Sequence, residues 1–126
     1  MIARLSQPWL SGGTPVLDET ALATLRGLQE PGQPDFLLEI TTVFLADTGR
    51  RIRELEAAIA RADAIAVHRA AHAIKGGAWT IGAMRLGQAC AALEKDGAAG
   101  RLDDAWLWVG RIAVEFELVS TAIRSV

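Results

Sequence analysis

Tyrosine is absent from this 126-residue sequence, cysteine occurs once, and only four prolines interrupt the chain. A single thiol, Cys90, excludes an internal disulfide and fits a reducing compartment, so the expected location is the cytoplasm. No apolar run approaches the roughly 20 residues of a membrane span. Gln7, Pro8 and Ser11 interrupt the start of the chain before a signal-peptide core can form. Basic blocks are also missing. The net charge is −2 and no stretch interleaves aromatic with basic residues, so neither nucleic acid nor a membrane is an expected partner. There is no Gly-x-x-x-x-Gly-Lys loop and no kinase-type Gly-rich loop with acidic metal ligands, which excludes autonomous ATP chemistry.

What is present is 51% hydrophobic, rich in Ala and Leu, and patterned for helices. A chain of this length supports one core and one domain. Residues 1–16 carry Ser, Gly-Gly and Pro15 without periodicity and read as an N-terminal arm or linker, with Trp9 and Leu10 available to tack onto the domain at 17–126. Asp18 is a good N-cap for a short helix, Ala21 to Leu28, carrying Leu22, Leu25 and Leu28 and ended by Pro31-Gly32-Gln33-Pro34. A long helix from about Asp35 to Ala62 has Phe36, Leu37, Ile40, Val43, Phe44, Ile52, Leu55 and Ile59 as its buried stripe. Gly49 is a candidate bend in it, and Arg50, Arg51, Arg53, Glu54 and Glu56 form a solvated face. A third helix starts near Asp63, and Gly82 separates it from a fourth, Ala83 to about Asp96, with Leu86, Ala89, Cys90 and Leu93 inside. Cys90 reads as a small core residue, not a redox centre. After a turn at Gly97-Ala98-Ala99-Gly100, the last helix, Asp103 to about Arg124, buries Trp106, Val109, Ala113 and Phe116, with Val119 and Ile123 as further inner positions. The short connections predict an all-α, antiparallel up-and-down four-helix bundle with a short additional N-terminal helix.

The third helix carries the unusual chemistry. At about 100° per residue, Val67, Ala70, Ala71, Ile74, Ala78 and Ile81 fall on one apolar stripe, and His68, His72, Lys75, Gly76 and Trp79 fall opposite. Each mid-helix glycine costs about 1 kcal/mol relative to alanine, yet Gly76 and Gly77 stand side by side. An imidazole is the one side chain that is neutral, nucleophilic and exposed near neutral pH. A lone surface histidine is ordinarily inert; Lys75 and Gly76 are what single out His72.

The string His72-x-x-Lys75-Gly76, with Gly82, the Arg85-Leu86 pair and Leu93-Glu94, resembles the histidine-containing phosphotransfer (HPt) domain of bacterial phosphorelays. The similarity runs from about Val16 to the C-terminus and is densest from Arg69 to Glu94; Gly77 departs from the Ser or Ala common in that family. The resemblance implies the same helical bundle and a phosphorelay carrier. His72 would accept a phosphoryl group on Nε2 from the aspartyl phosphate of a receiver domain and pass it to the aspartate of a response-regulator receiver. Lys75 would offset the charge of the transferring group, and Gly76 would clear space for the receiver's loops. Glu94 would accept the proton on the other ring nitrogen and fix the tautomer. Gly82 has a structural role only.

His68 and Arg69 are placed on a docking rim. Trp79 fits either inward packing against the second helix or a partly exposed docking anchor. His68 and His72 also have a metal-ligand spacing, but Arg69 stands where a zincin motif needs Glu, and no Glu-x-x-His pair exists, so no metal site is expected. No cofactor is expected on this chain, and the resemblance puts Mg²⁺ on the receiver partner. The expected partners are the receiver of a hybrid sensor histidine kinase and a response-regulator receiver, met by a monomer. Two readings from other classes stay open: an HPt-like adaptor that binds without transfer, and a metal-dependent helical-bundle enzyme. The chain fits either a free-standing protein or a module of a hybrid kinase.

Overall fold

The computed structural model describes residues 13–126, so the expected tacking of Trp9 and Leu10 lies outside the described residues. Within them the chain forms five helices and no strand: α1 (Glu19–Arg26), α2 (Phe36–Ala60), α3 (Ala64–Thr80), α4 (Met84–Ala98) and α5 (Ala105–Arg124). Aspartates set three of the starts. Asp18 accepts from the Thr20 N–H at 2.8 Å, Asp35 from Leu38 at 3.1 Å and Asp63 from Ala66 at 3.0 Å. Each carboxylate satisfies an N–H that has no partner inside its helix. Because the first cap sits directly before Glu19 and Gly27 ends the helix, α1 lies two residues earlier than its apolar pattern predicts, and Leu28 falls outside it, exposed.

Connections 61–63, 81–83 and 99–104 leave room only for chain reversal, so consecutive long helices run antiparallel. α2 packs on α3, α3 on α4, α4 on α5 and α5 back on α2, while α1 packs on α2. This is the expected four-helix bundle with its short extra helix. Leu55, Val67, Ile74, Leu86, Leu93, Ile112 and Val119 meet in the core, and Cys90 is buried among them. Burial pushes the Cys90 thiol far above its ordinary pKa, which leaves it unreactive.

Two stripes differ from expectation. In α2 the buried series is Thr41, Phe44, Thr48, Leu55, Ala58 and Ile59, so Val43 points to solvent. Threonine fits this face because the Thr41 hydroxyl donates to the Leu37 carbonyl at 2.8 Å. In α5, Trp106 is 55% exposed and Trp108 only 2%, with Ala105, Val109, Ile112 and Val119 inside and Ala113 half-buried. That helix is apolar on nearly every side, so several stripes of 3.6-residue period compete and packing selects among them.

Gly82 makes the α3–α4 turn at φ +82°. Its carbonyl accepts from the Asp18 N–H at 2.8 Å, and an added Cβ would lie 2.8 Å from the Ala21 Cβ. The turn that carries α3 into α4 therefore also seats α1. Between α4 and α5 lies an ion triad that periodicity does not reveal. The fully buried Glu115 accepts from Arg85 at 3.0 Å and from Arg111 at 2.8 Å.

Candidate functional site

The site lies on the outer face of the α3–α4 hairpin. Val67, Ala70, Ala71, Ile74 and Ala78 are buried as the stripe requires, which turns His72 outward with its side chain 66% exposed. Gly76 is exposed one turn on, and nothing stands within 4 Å of where its Cβ would be.

Glu94 on α4 joins these residues. One carboxylate oxygen lies 2.5 Å from His72 Nδ1 and the other accepts from the Lys75 ammonium at 2.5 Å. The Glu94 side chain is 14% exposed. Burial pushes its carboxyl pKa up, but the hydrogen bonds and charges of Lys75 and His72 outweigh that and hold it below the usual glutamate range. Glu94 is thus an ionised acceptor, and the proton of the contact sits on His72 Nδ1. The ring nitrogen Nε2 makes no hydrogen bond among the described residues.

Lys75 is less wet than its helix face implies. Its side chain is 20% exposed, folded between Glu94 and Trp79, with Nζ 5.3 Å from the indole ring centre. Trp79 is partly exposed, and it packs on α4 instead of α2: its indole covers Gly87, where any Cβ would collide with it. His68 is half-buried against α4, its Nδ1 3.1 Å from the Glu94 backbone oxygen, and its ring centre is 6.3 Å from that of His72. Arg69 stands apart on the α2 side, exposed beside a shallow groove shared with Arg51, Glu54 and Arg61. The structure therefore brings His68, His72, Lys75, Trp79 and Glu94 together, with Gly76 beside them, and leaves Arg69 on another flank.

No group of three or more His, Cys, Asp or Glu side chains among the described residues is arranged to hold a metal ion. No helix there is long and apolar enough to cross a membrane. An exposed imidazole with its outer nitrogen unencumbered, a largely covered carboxylate behind it and an ammonium beside it can take and return a group at Nε2.

The family model of the Hpt domain matches residues 39–122, from the first turn of α2 into the last turn of α5. This chain belongs to the Hpt family. The crystal structure of histidine-containing phosphotransfer protein B (HptB) from Pseudomonas aeruginosa is similar to it, at 32% identity and a TM-score of 0.80, covering 88% of this chain and 93% of that one. Histidine-containing phosphotransfer protein 5 of Arabidopsis thaliana is 22% identical over 109 residues, 84% of this chain and 69% of that protein. In this Hpt chain Gly77 faces Phe44 of α2, and a Cβ there would sit at an ordinary 3.4 Å, so the missing side chain is not forced by crowding. Sequence reasoning missed Gly87 and placed Gly97 in the turn after the fourth helix, whereas α4 runs on to Ala98 and both glycines lie within it, admitting α3 side chain and backbone. The signal for Gly87 is a glycine inside a helical pattern; Gly97 stands near Gly100 and reads as a turn.

Proposed function

We propose that this Hpt chain relays a phosphoryl group between receiver domains, with His72 as the acceptor. The observation that carries the reading is the setting of that ring: exposed, with Nδ1 against the Glu94 carboxylate and Nε2 without a hydrogen bond among the described residues. The Nε2 lone pair attacks phosphorus in line with the aspartyl oxygen of the donor receiver. The P–N bond forms as the P–O bond breaks, and the aspartate leaves as a carboxylate. The imidazole becomes cationic, and the Glu94 carboxylate on Nδ1–H stabilises that charge. Lys75 offsets the charge spread over the phosphoryl oxygens. Gly76 offers bare backbone where receiver loops approach. Transfer onward is the same step reversed on a second receiver.

In this reading the donor is the receiver of a hybrid sensor histidine kinase and the recipient a response regulator, met in turn by a cytoplasmic monomer. Mg²⁺ comes with the receiver. The carboxylate beside His72 has both oxygens engaged by His72 and Lys75, which supports that assignment.

The test is incubation with a phosphorylated receiver. The wild-type chain takes label, and His72→Gln takes none while its unfolding free energy stays within about 1 kcal/mol of wild type. Stable binding of the receiver without label on the wild-type chain would favour an adaptor and overturn the relay.

A further inference from the structure

Glu94 reaches His72 and Lys75 only across a helix boundary, so its aim depends on how α4 is set against α3. At the turn end the hairpin is fixed by the covalent connection 81–83 and by the Trp79 indole lying over Gly87. The other end needs its own fastening, and two independent features supply it next to Glu94. The Glu94 backbone carbonyl lies 3.1 Å from His68 Nδ1. A carbonyl only accepts, so the proton is on that nitrogen. Three residues later, Gly97 brings α4 so near α3 that a Cβ would stand 3.0 Å from the His68 nitrogen, 3.1 Å from the Ala64 carbonyl oxygen and 3.2 Å from the His68 Cα. These are backbone atoms, which cannot swing aside.

We infer that His68 and Gly97 are positioning residues: they fasten α4 to α3 at the level of Glu94 and so fix, through Glu94, the tautomer of His72. Glu94 is gripped at three points from one face of α3: its carbonyl by His68, and its two carboxylate oxygens by His72 and Lys75. His68 precedes His72 by one helical turn, so the two imidazoles hold the backbone and the side chain of a single residue. If the first grip is lost, α4 can turn or withdraw, Glu94 no longer meets Nδ1 squarely, and the ring proton is free to move to Nε2, the nitrogen that has to attack. The effect on transfer rests on the acceptor role of His72 proposed above; the effect on the ring does not.

The experiment uses the full chain labelled with ¹⁵N-histidine at about pH 8.5, where free imidazole is neutral, and reads the His72 tautomer by two-bond ¹⁵N–¹H correlation. The wild type shows the Nδ1–H form. His68→Ala and Gly97→Ala show a mixture of both forms. Transfer from a phosphorylated receiver falls about fivefold in His68→Ala, the scale of one lost hydrogen bond, with receiver affinity unchanged. His68→Asn, whose amide N–H can occupy the place of Nδ1–H, restores both the tautomer and the rate. A single Nδ1–H tautomer in His68→Ala overturns the inference, as does an Asn variant that behaves like Ala. Loss of receiver affinity with the tautomer intact would make His68 a docking residue instead. A wild-type chain that takes no label defeats the relay, and the tautomer comparison still decides this inference.

Discussion

Glu94 sits where burial and charge oppose each other. Burial alone would raise its carboxyl pKa, and Lys75 and His72 together bring it below the usual range. A carboxyl depressed on folding contributes stability that is present above the unfolded value, about 4.3, and fades as the pH falls through the lower folded value. Glu94→Gln should therefore lose stability relative to wild type at pH 7, with the gap narrowing as the pH falls below the usual glutamate range, as read from urea midpoints at a series of pH values. Lys75→Ala removes the strongest downward influence and leaves burial opposed by His72 alone. The Glu94 carboxyl should then titrate higher by ¹³C NMR, at a stability cost of about 1 kcal/mol, since Lys75 is packed and paired instead of free in water. Transfer should slow about tenfold in that variant, and further in Lys75→Glu, which puts a second negative charge beside Glu94. Equal rates for the Ala and Glu variants would mean that Lys75 does not act through its charge.

At the scale of the helix, one residue type gives opposite outcomes. Gly76→Gln enters open space on α3, so the helix should gain about 1 kcal/mol by propensity while transfer slows through collision with the receiver. Gly82→Ala must hold φ +82° and push against Ala21 and the Asp18 backbone, so it should lose about 2 kcal/mol or more by chemical denaturation. α3 was legible in the sequence because its apolar stripe is single and narrow, which leaves His72 only one way to face. α5 was legible as a helix with Val109 and Val119 inside, but not in its full inward face, because an all-round apolar helix carries several stripes and Trp106 and Trp108 compete for one place inside. Glu94 was legible as a candidate only through the family resemblance. Periodicity tells which way a residue faces on its own helix and says nothing of register between helices. The same limit hid the His68 grip on the Glu94 carbonyl and the pairing of Arg85 with Glu115.

For the whole bundle, the Arg85–Glu115–Arg111 triad is where α4 and α5 are most exposed to a single change. Removing Glu115 leaves two guanidinium groups facing each other with little water, so Glu115→Ala should destabilise the fold by about 3 kcal/mol. Replacing all three residues with apolar ones of like volume should recover most of that loss. Both effects are measured by urea unfolding, and the transfer rate per folded molecule should hold, because the triad makes no contact with His72 or Glu94. The hairpin has a further consequence. The hydrogen bonds that build the site join residues no more than 26 positions apart in the chain, the longest being His68 with Glu94, and the Gly97 approach to Ala64 stays within the same hairpin. Closing so short a segment forfeits little chain entropy compared with bringing α5 back onto α2. During folding, the parts of the relay site are thus among the first to find one another, and the bundle's distant pairings close around chemistry already assembled.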